Sequence, residues 1–272
     1  MTEHVPPTYL SNKNPHVRDA DISFEEGPHI YTVLGNRGGY TSVTTWNHSH
    51  FANFDAESTI DKILKGSKMN DPHYKYYGKT KEQILKMWDD KRISASTAGT
   101  KMHNDIEYYY NNEVVENDSI EFQFFKNFLK DYPELKPYRT EWMIYHEDLM
   151  LSGSIDMIFE NEDGTLQIYD WKRCENIVHE NNFGKFATTS CISHLPDTNF
   201  WHYALQLNVY KAILESKYDK KITDLYLVCM HPSNVYKNYQ RIKVPILEKE
   251  IKLLFDYRLT QVEKEKEKGH KN

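Results

Sequence analysis

Leu149-Met-Leu-Ser-Gly-Ser-Ile-Asp-Met-Ile-Phe159 and, one turn later, Leu166-Gln-Ile-Tyr-Asp-Trp-Lys172 decide how this chain is built. In an extended strand alternate side chains share a face. Leu149, Leu151, Ile155, Met157 and Phe159 therefore fall together, with Ser152, Ser154 and Asp156 opposite. In the second stretch Leu166, Ile168, Asp170 and Lys172 share a face. Asn161-Glu-Asp-Gly164 between the two is turn chemistry, so the pair predicts an antiparallel hairpin. With Glu160 opposite Leu166, Asp156 lies directly opposite Asp170.

Residues opposed in this way have Cβ atoms about 4.5–5.5 Å apart, and like charges there repel. Two carboxylates on a face that also carries Leu166 and Ile168 are not freely solvated, and they want a cation. Oxygen ligation with room for water suits Mg²⁺ or Mn²⁺. Lys172 emerges two residues beyond Asp170 on the same face, where an ammonium can position a metal-bound water or stabilise charge on a phosphate. Trp171 points the other way and reads as a packing aromatic. The bland alternative, a surface hairpin with polar residues outward, is disfavoured by the apolar neighbours of the acids.

Around the hairpin the pattern predicts an α/β chain. His29 to Leu34 and Tyr40 to Thr45 read as short strands around Gly35-Asn-Arg-Gly-Gly39, after an irregular lead-in of 28 residues. Helices are expected at Asp55 to Lys65, at Lys79 to Tyr110 with a break near Ser94-Ala-Ser96, at Ser119 to Asp131, at Asn199 to Lys217 and from Ile246 to about Lys266. Tyr138 to His146 precedes the hairpin as a strand, and Ile222 to Met230 and Tyr239 to Val244 follow as strands. The order implies a central mixed sheet flanked by helices. Residues 1–39 are expected as lead-in and strand, 40–260 as one domain, and 261–272 as a charged tail.

Composition bounds what such a domain can do. At 272 residues, 39% apolar and 27% charged, the chain has soluble globular character and can bury a sizeable core. No apolar run approaches the roughly 18 residues of a membrane span, and Met1-Thr-Glu-His-Val-Pro-Pro7 is no secretory signal. Cys174, Cys191 and Cys229 cannot pair off and show no CxxC spacing, which excludes a disulfide scaffold, a four-cysteine zinc site and a four-cysteine iron–sulfur cluster. The expected location is intracellular, nucleus or cytoplasm, not secreted and with no membrane partner. A net charge of -6 argues mildly against a nucleic-acid binder, yet Lys62 to Lys101 carries ten Lys/Arg against four acids. That segment is either a phosphate-binding stripe or a solvated helical face, and charge alone does not choose.

Gly153-Ser-Ile-Asp156 followed by Asp170-Trp-Lys172 resembles the GxxD…DxK form of the PD-(D/E)XK nuclease motif. Gly99-Thr-Lys-Met-His-Asn-Asp-Ile-Glu107 is similar to the GTxxHxxIE helix of the RecB-like exonuclease branch, and Gln206-Leu-Asn-Val-Tyr210 to its QxxxY motif. His103 and Glu107, like Gln206 and Tyr210, are four apart and share a helix face. Thr41-Ser-Val-Thr-Thr45 with Phe51 and Phe54-Asp55 looks like the lead-in of nucleases from large DNA viruses. Free-standing members such as the mitochondrial genome-maintenance exonuclease are the nearest in kind.

The resemblance implies a restriction-endonuclease-like core and metal-dependent hydrolysis of DNA. Its carried-over catalytic set is Asp156, Asp170, Lys172, Gln206 and Tyr210. Mg²⁺ or Mn²⁺ would be held by His103, Asp156, Asp170 and the Trp171 backbone, with Glu107 and Glu141 near the site. Lys185, Lys101 and Ser154 are candidate nucleic-acid contacts, and aromatics around 183–203 are candidates for stacking on unpaired bases. DNA, as single strands or ends, is the implied partner, along with replication or recombination proteins, in a viral or organellar type of DNA metabolism. The same core also serves endonucleases and junction resolvases, and a catalytically silent nucleic-acid-binding module is a further alternative.

Overall fold

The computed structural model describes residues 6–181 and 183–269; the readings placed on residues 1–5, Asn182 and 270–272 lie outside it. Chain contacts divide it into two compact units, Asn53–Met102 and the remainder.

The larger unit is built on a six-stranded mixed sheet flanked by helices, the α/β architecture expected from the sequence. Ahead of it, α1 (Tyr9–Lys13) and β1 (Ile22–Glu25) lie in the stretch expected to be irregular. Asp19, between them, accepts from Arg139 Nη1 and Trp142 Nε1, both at 2.8 Å. Those partners are far off in sequence, which is why the local pattern hides this order. β1, β2 (Ile30–Val33) and β3 (Asn36–Arg37) form a small antiparallel sheet around Tyr31 and Val33.

The strand expected over Tyr40 to Thr45 is only β4 (Thr41–Ser42), because Ser42 Oγ accepts from Thr45 N and caps α2 (Val43–His48). Next in this unit come α5 (Ile120–Asp131), after the second half of a long helix described below, and β5 (Lys136–His146), β6 (Leu151–Glu160) and β7 (Leu166–Lys172). α6 (Asn199–Lys217) crosses over to β8 (Ile222–Cys229), parallel to β7, and β9 (Gln240–Lys243) closes the edge. The last helix is Glu248–Gly269.

β6 is the hub. β5 pairs along one of its edges, while the other edge is shared by β4 at its start and β7 at its end. The β7 ladder covers Met157 to Glu160 and the β4 pairs involve Leu151 and Ser152. Residues 153–156 therefore sit in a fork between two diverging neighbours. Leu166 and Ile168 join Leu205 and Val209 of α6 in the main core. Trp171 packs among Tyr110, Phe125 and Phe128 in an aromatic layer.

In the smaller unit α3 (Ala56–Lys65), capped by Asp55, and the first part of α4 (Lys81–Tyr110) enclose Ile60, Tyr76 and Ile84. α4 is continuous where the sequence suggested a break. Ala favours a helix, Ser and Thr disfavour one by only tenths of a kcal/mol, and no proline interrupts it. Residues 91–97 of α4 are exposed on every side, so no packing contradicts the helix.

Candidate metal centre

Glu160 pairs with Leu166, and the ladder runs from there to Met157 opposite Tyr169. One step further brings Asp156 level with Asp170. On the other edge, Thr140 pairs with Met157 and Trp142 with Ile155, so Glu141 stands across from Asp156. Three acids thus form a row across β5, β6 and β7 at the fork. The backbone is distorted there: Glu141 has φ of 41°, a left-handed conformation that costs a non-glycine residue energy and gathers at functional sites.

The side chains hold one another. Ser154 Oγ donates to Glu141 Oε2 at 2.8 Å. Trp171 N donates to Asp156 Oδ2 at 2.9 Å, so the amide is satisfied by a carboxylate. His103, from the second half of α4, brings Nδ1 to 3.5 Å from Asp156 Oδ2 and 3.8 Å from Glu141 Oε1. Lys172 Nζ lies 2.6 Å from Asp170 Oδ2 and 4.7 Å from the centre of the Tyr203 ring. Gln206 Nε2 donates to Tyr210 OH at 3.2 Å. Tyr210 in turn fills the space beside Gly153, where an added Cβ would meet its Cε1 at 2.8 Å.

Burial makes these charges expensive. Asp156 is pushed up to about 7, first by desolvation and then by the neighbouring charge of Asp170. Glu107 is raised to about 8 by burial and by Glu141. For His103 burial works downward, but Asp156 and Glu141 outweigh it and lift the imidazole to about 9. For Lys172 burial again opposes the charge, while Asp170 and Asp156 hold the ammonium above the ordinary lysine range.

His103, Glu141 and Asp156 each offer a ligand atom, all within 4.8 Å of one another. One imidazole and two carboxylates in a site that strains to ionise fit a divalent cation of the Mg²⁺ or Mn²⁺ kind. Glu141 belongs to this cluster, whereas Asp170 is engaged by Lys172. Trp171 contributes its N–H to Asp156, and its indole is buried. Lys185 is exposed on the segment after β7, and Lys101 is exposed within Asn53–Met102. Tyr203, among the aromatics expected around 183–203, stacks under Lys172. One participant escaped the sequence reading. Tyr31 of β2 is raised by burial and by the charges of Glu141 and Asp156, and no local signal announces it.

No known family model matches the sequence, and no curated protein matches it. Among solved structures the chain is similar to a "putative exonuclease" from Eubacterium rectale, with 11% identity and a TM-score of 0.29 over 59% of this chain and 72% of that one. Among the described residues no helix is long and apolar enough to cross a membrane.

Proposed function

We propose that this chain is a metal-dependent deoxyribonuclease, acting as an exonuclease on DNA strands or ends. The observation that carries the proposal is the row of Glu141, Asp156 and Asp170 at the fork of β6, with His103 beside it and Lys172 paired to Asp170. An ordinary surface hairpin would not withdraw Asp156, Asp170 and an ammonium from water and line a third acid, Glu141, up beside them.

His103, Glu141 and Asp156 would hold the ion, with Asp170 at its margin. When bound, such an ion supplies an acidified water and neutralises charge on the scissile phosphate. Lys172, kept cationic by Asp170, is a hydrogen-bond donor rather than a base, so its part is to orient the attacking water or steady phosphate charge. Tyr203 supports the ammonium from below. Gln206 and Tyr210 brace the strand that carries Asp156, since Tyr210 packs directly on Gly153. The sequence resemblance extends the proposal to DNA replication, recombination or repair.

End-labelled linear and circular DNA, single- and double-stranded, incubated with Mn²⁺ or Mg²⁺, tests it, with Lys172→Ala alongside. Linear DNA should be degraded, circles left intact, and EDTA should stop the reaction. Lys172→Ala should lower the rate by about 10²-fold or more. Cut circles would make the protein an endonuclease. Cleavage that survives EDTA would overturn the metal mechanism, and DNA binding without any cleavage would leave a silent binding module.

A further inference from the structure

Two of the three cysteines meet beside Lys172. In the parallel ladder of β7 and β8, Lys172 stands opposite Cys229, and Met230 N donates to the Lys172 carbonyl at 2.9 Å. The chain leaves β7 at that point. Cys174, two residues on, packs against the same core that encloses Cys229. Cys174 and Cys229 are thereby neighbours at the end of β7 and β8, and each thiol perturbs the other. Their exposures differ: Cys229 is 1% exposed, while Cys174 is half-buried and reachable from solvent. Cys191 lies in a separate short turn, Ser190–Ile192.

We propose that Cys174 and Cys229 form an oxidisable dithiol that closes into an intrachain disulfide, with hydrogen peroxide as oxidant. The Cys174 thiolate attacks one peroxide oxygen, the O–O bond breaks and hydroxide leaves, giving a sulfenic acid. The Cys229 sulfur, giving up its proton to water, then attacks Cys174 Sγ. The S–S bond forms, the S–O bond breaks and water departs, and the protons released match the hydroxide formed. Two thiols and one peroxide become one disulfide and two waters.

The order of attack follows from the surroundings. The hydrogen bond from Cys229 holds Cys174 below the ordinary thiol range against the effect of burial, and the Lys172 ammonium adds to it. Cys229 is held above that range by the same hydrogen bond and by burial, so it is the resolving partner. The bond would fasten the chain two residues beyond Lys172 to the end of β8. This inference stands on the pairing of β7 with β8, which brings the two thiols together, and does not depend on the nuclease reading.

The reduced full-length protein, titrated with hydrogen peroxide and then alkylated, tests it by mass spectrometry. Expected is a loss of ~2 Da, one alkylated cysteine (Cys191) and a cross-linked peptide pair holding Cys174 and Cys229, all reversed by dithiothreitol. In Cys229→Ser, dimedone should trap Cys174 as a sulfenic acid, whereas Cys174→Ser should leave Cys229 unmodified. Oxidation of Cys174 to sulfinic acid with Cys229 still alkylatable would overturn the proposal. So would consumption of Cys191 at the same rate as Cys174, or no reaction at all.

Discussion

Asp156 is the residue on which the site turns, and its titration has a sign that can be worked out. Its folded pKa, about 7, lies above the ordinary 3.8, because burial and Asp170 both resist the negative charge. The folded state therefore binds this proton more tightly than the unfolded chain. The penalty for ionising it grows as pH rises from about 4 through 7. His103 works in the same direction. Its stabilising charge is fully present below 6.5 and is lost as pH rises through about 9. Without a divalent ion, this site should destabilise the protein progressively between pH 4 and 9. Melting temperatures in chelator across that range should fall more steeply for the parent than for Asp156→Asn, and Mn²⁺ should flatten the parent's curve. Parallel curves for the two proteins would mean that the acids do not repel as described.

At the scale of elements, Gly153 shows how closely β6 and α6 are fitted. A methyl group there would come within 2.8 Å of Tyr210 Cε1 and 3.0 Å of its hydroxyl, and Tyr210 is fully enclosed. Gly153→Ala should cost about 1–3 kcal/mol by overpacking. Equilibrium urea unfolding measures this, and a Gly153→Ala protein as stable as the parent would show that α6 can give way. The hairpin register and the bounds of α6 were legible in the sequence because each rests on local periodicity: alternation on either side of Asn161-Glu-Asp-Gly164, and a long unbroken apolar pattern from Asn199. Glu141 was legible only as an acid on the preceding strand. Its left-handed backbone and its bond from Ser154 come from tertiary fit, which no spacing encodes. β1 was hidden for the same reason, since Asp19 just ahead of it is held by Arg139 and Trp142 from across the chain; the strand of Tyr31 was expected, but its packing with Tyr145 was not.

For the whole molecule, one arginine ties the far ends of the larger unit together. Arg258, on the last helix, donates to the Leu149 carbonyl at 3.0 Å and reaches Thr41 Oγ1 at 3.5 Å, contacts that span 109 and 217 residues. Arg258→Ala would strip a buried carbonyl of its partner just where β4 meets β6. A loss of about 1–3 kcal/mol is expected, read as a lower melting temperature; an unchanged one would show that water replaces the guanidinium.

The fork at β6 also imposes an order in time. β5, β6 and β7 follow one another through short turns and can pair early, bringing Glu141, Asp156 and Asp170 into line at small entropic cost. β4 is separated from β6 by α2, α3, α4, α5 and β5, and the closure that brings it onto β6 is slow by comparison. Tyr210 comes later still in synthesis, with α6. A chain still emerging from the ribosome would already hold its acids in a row, yet would lack the ring that supports Gly153 and the aromatic under Lys172. Assembly ends where the chemistry is proposed to begin.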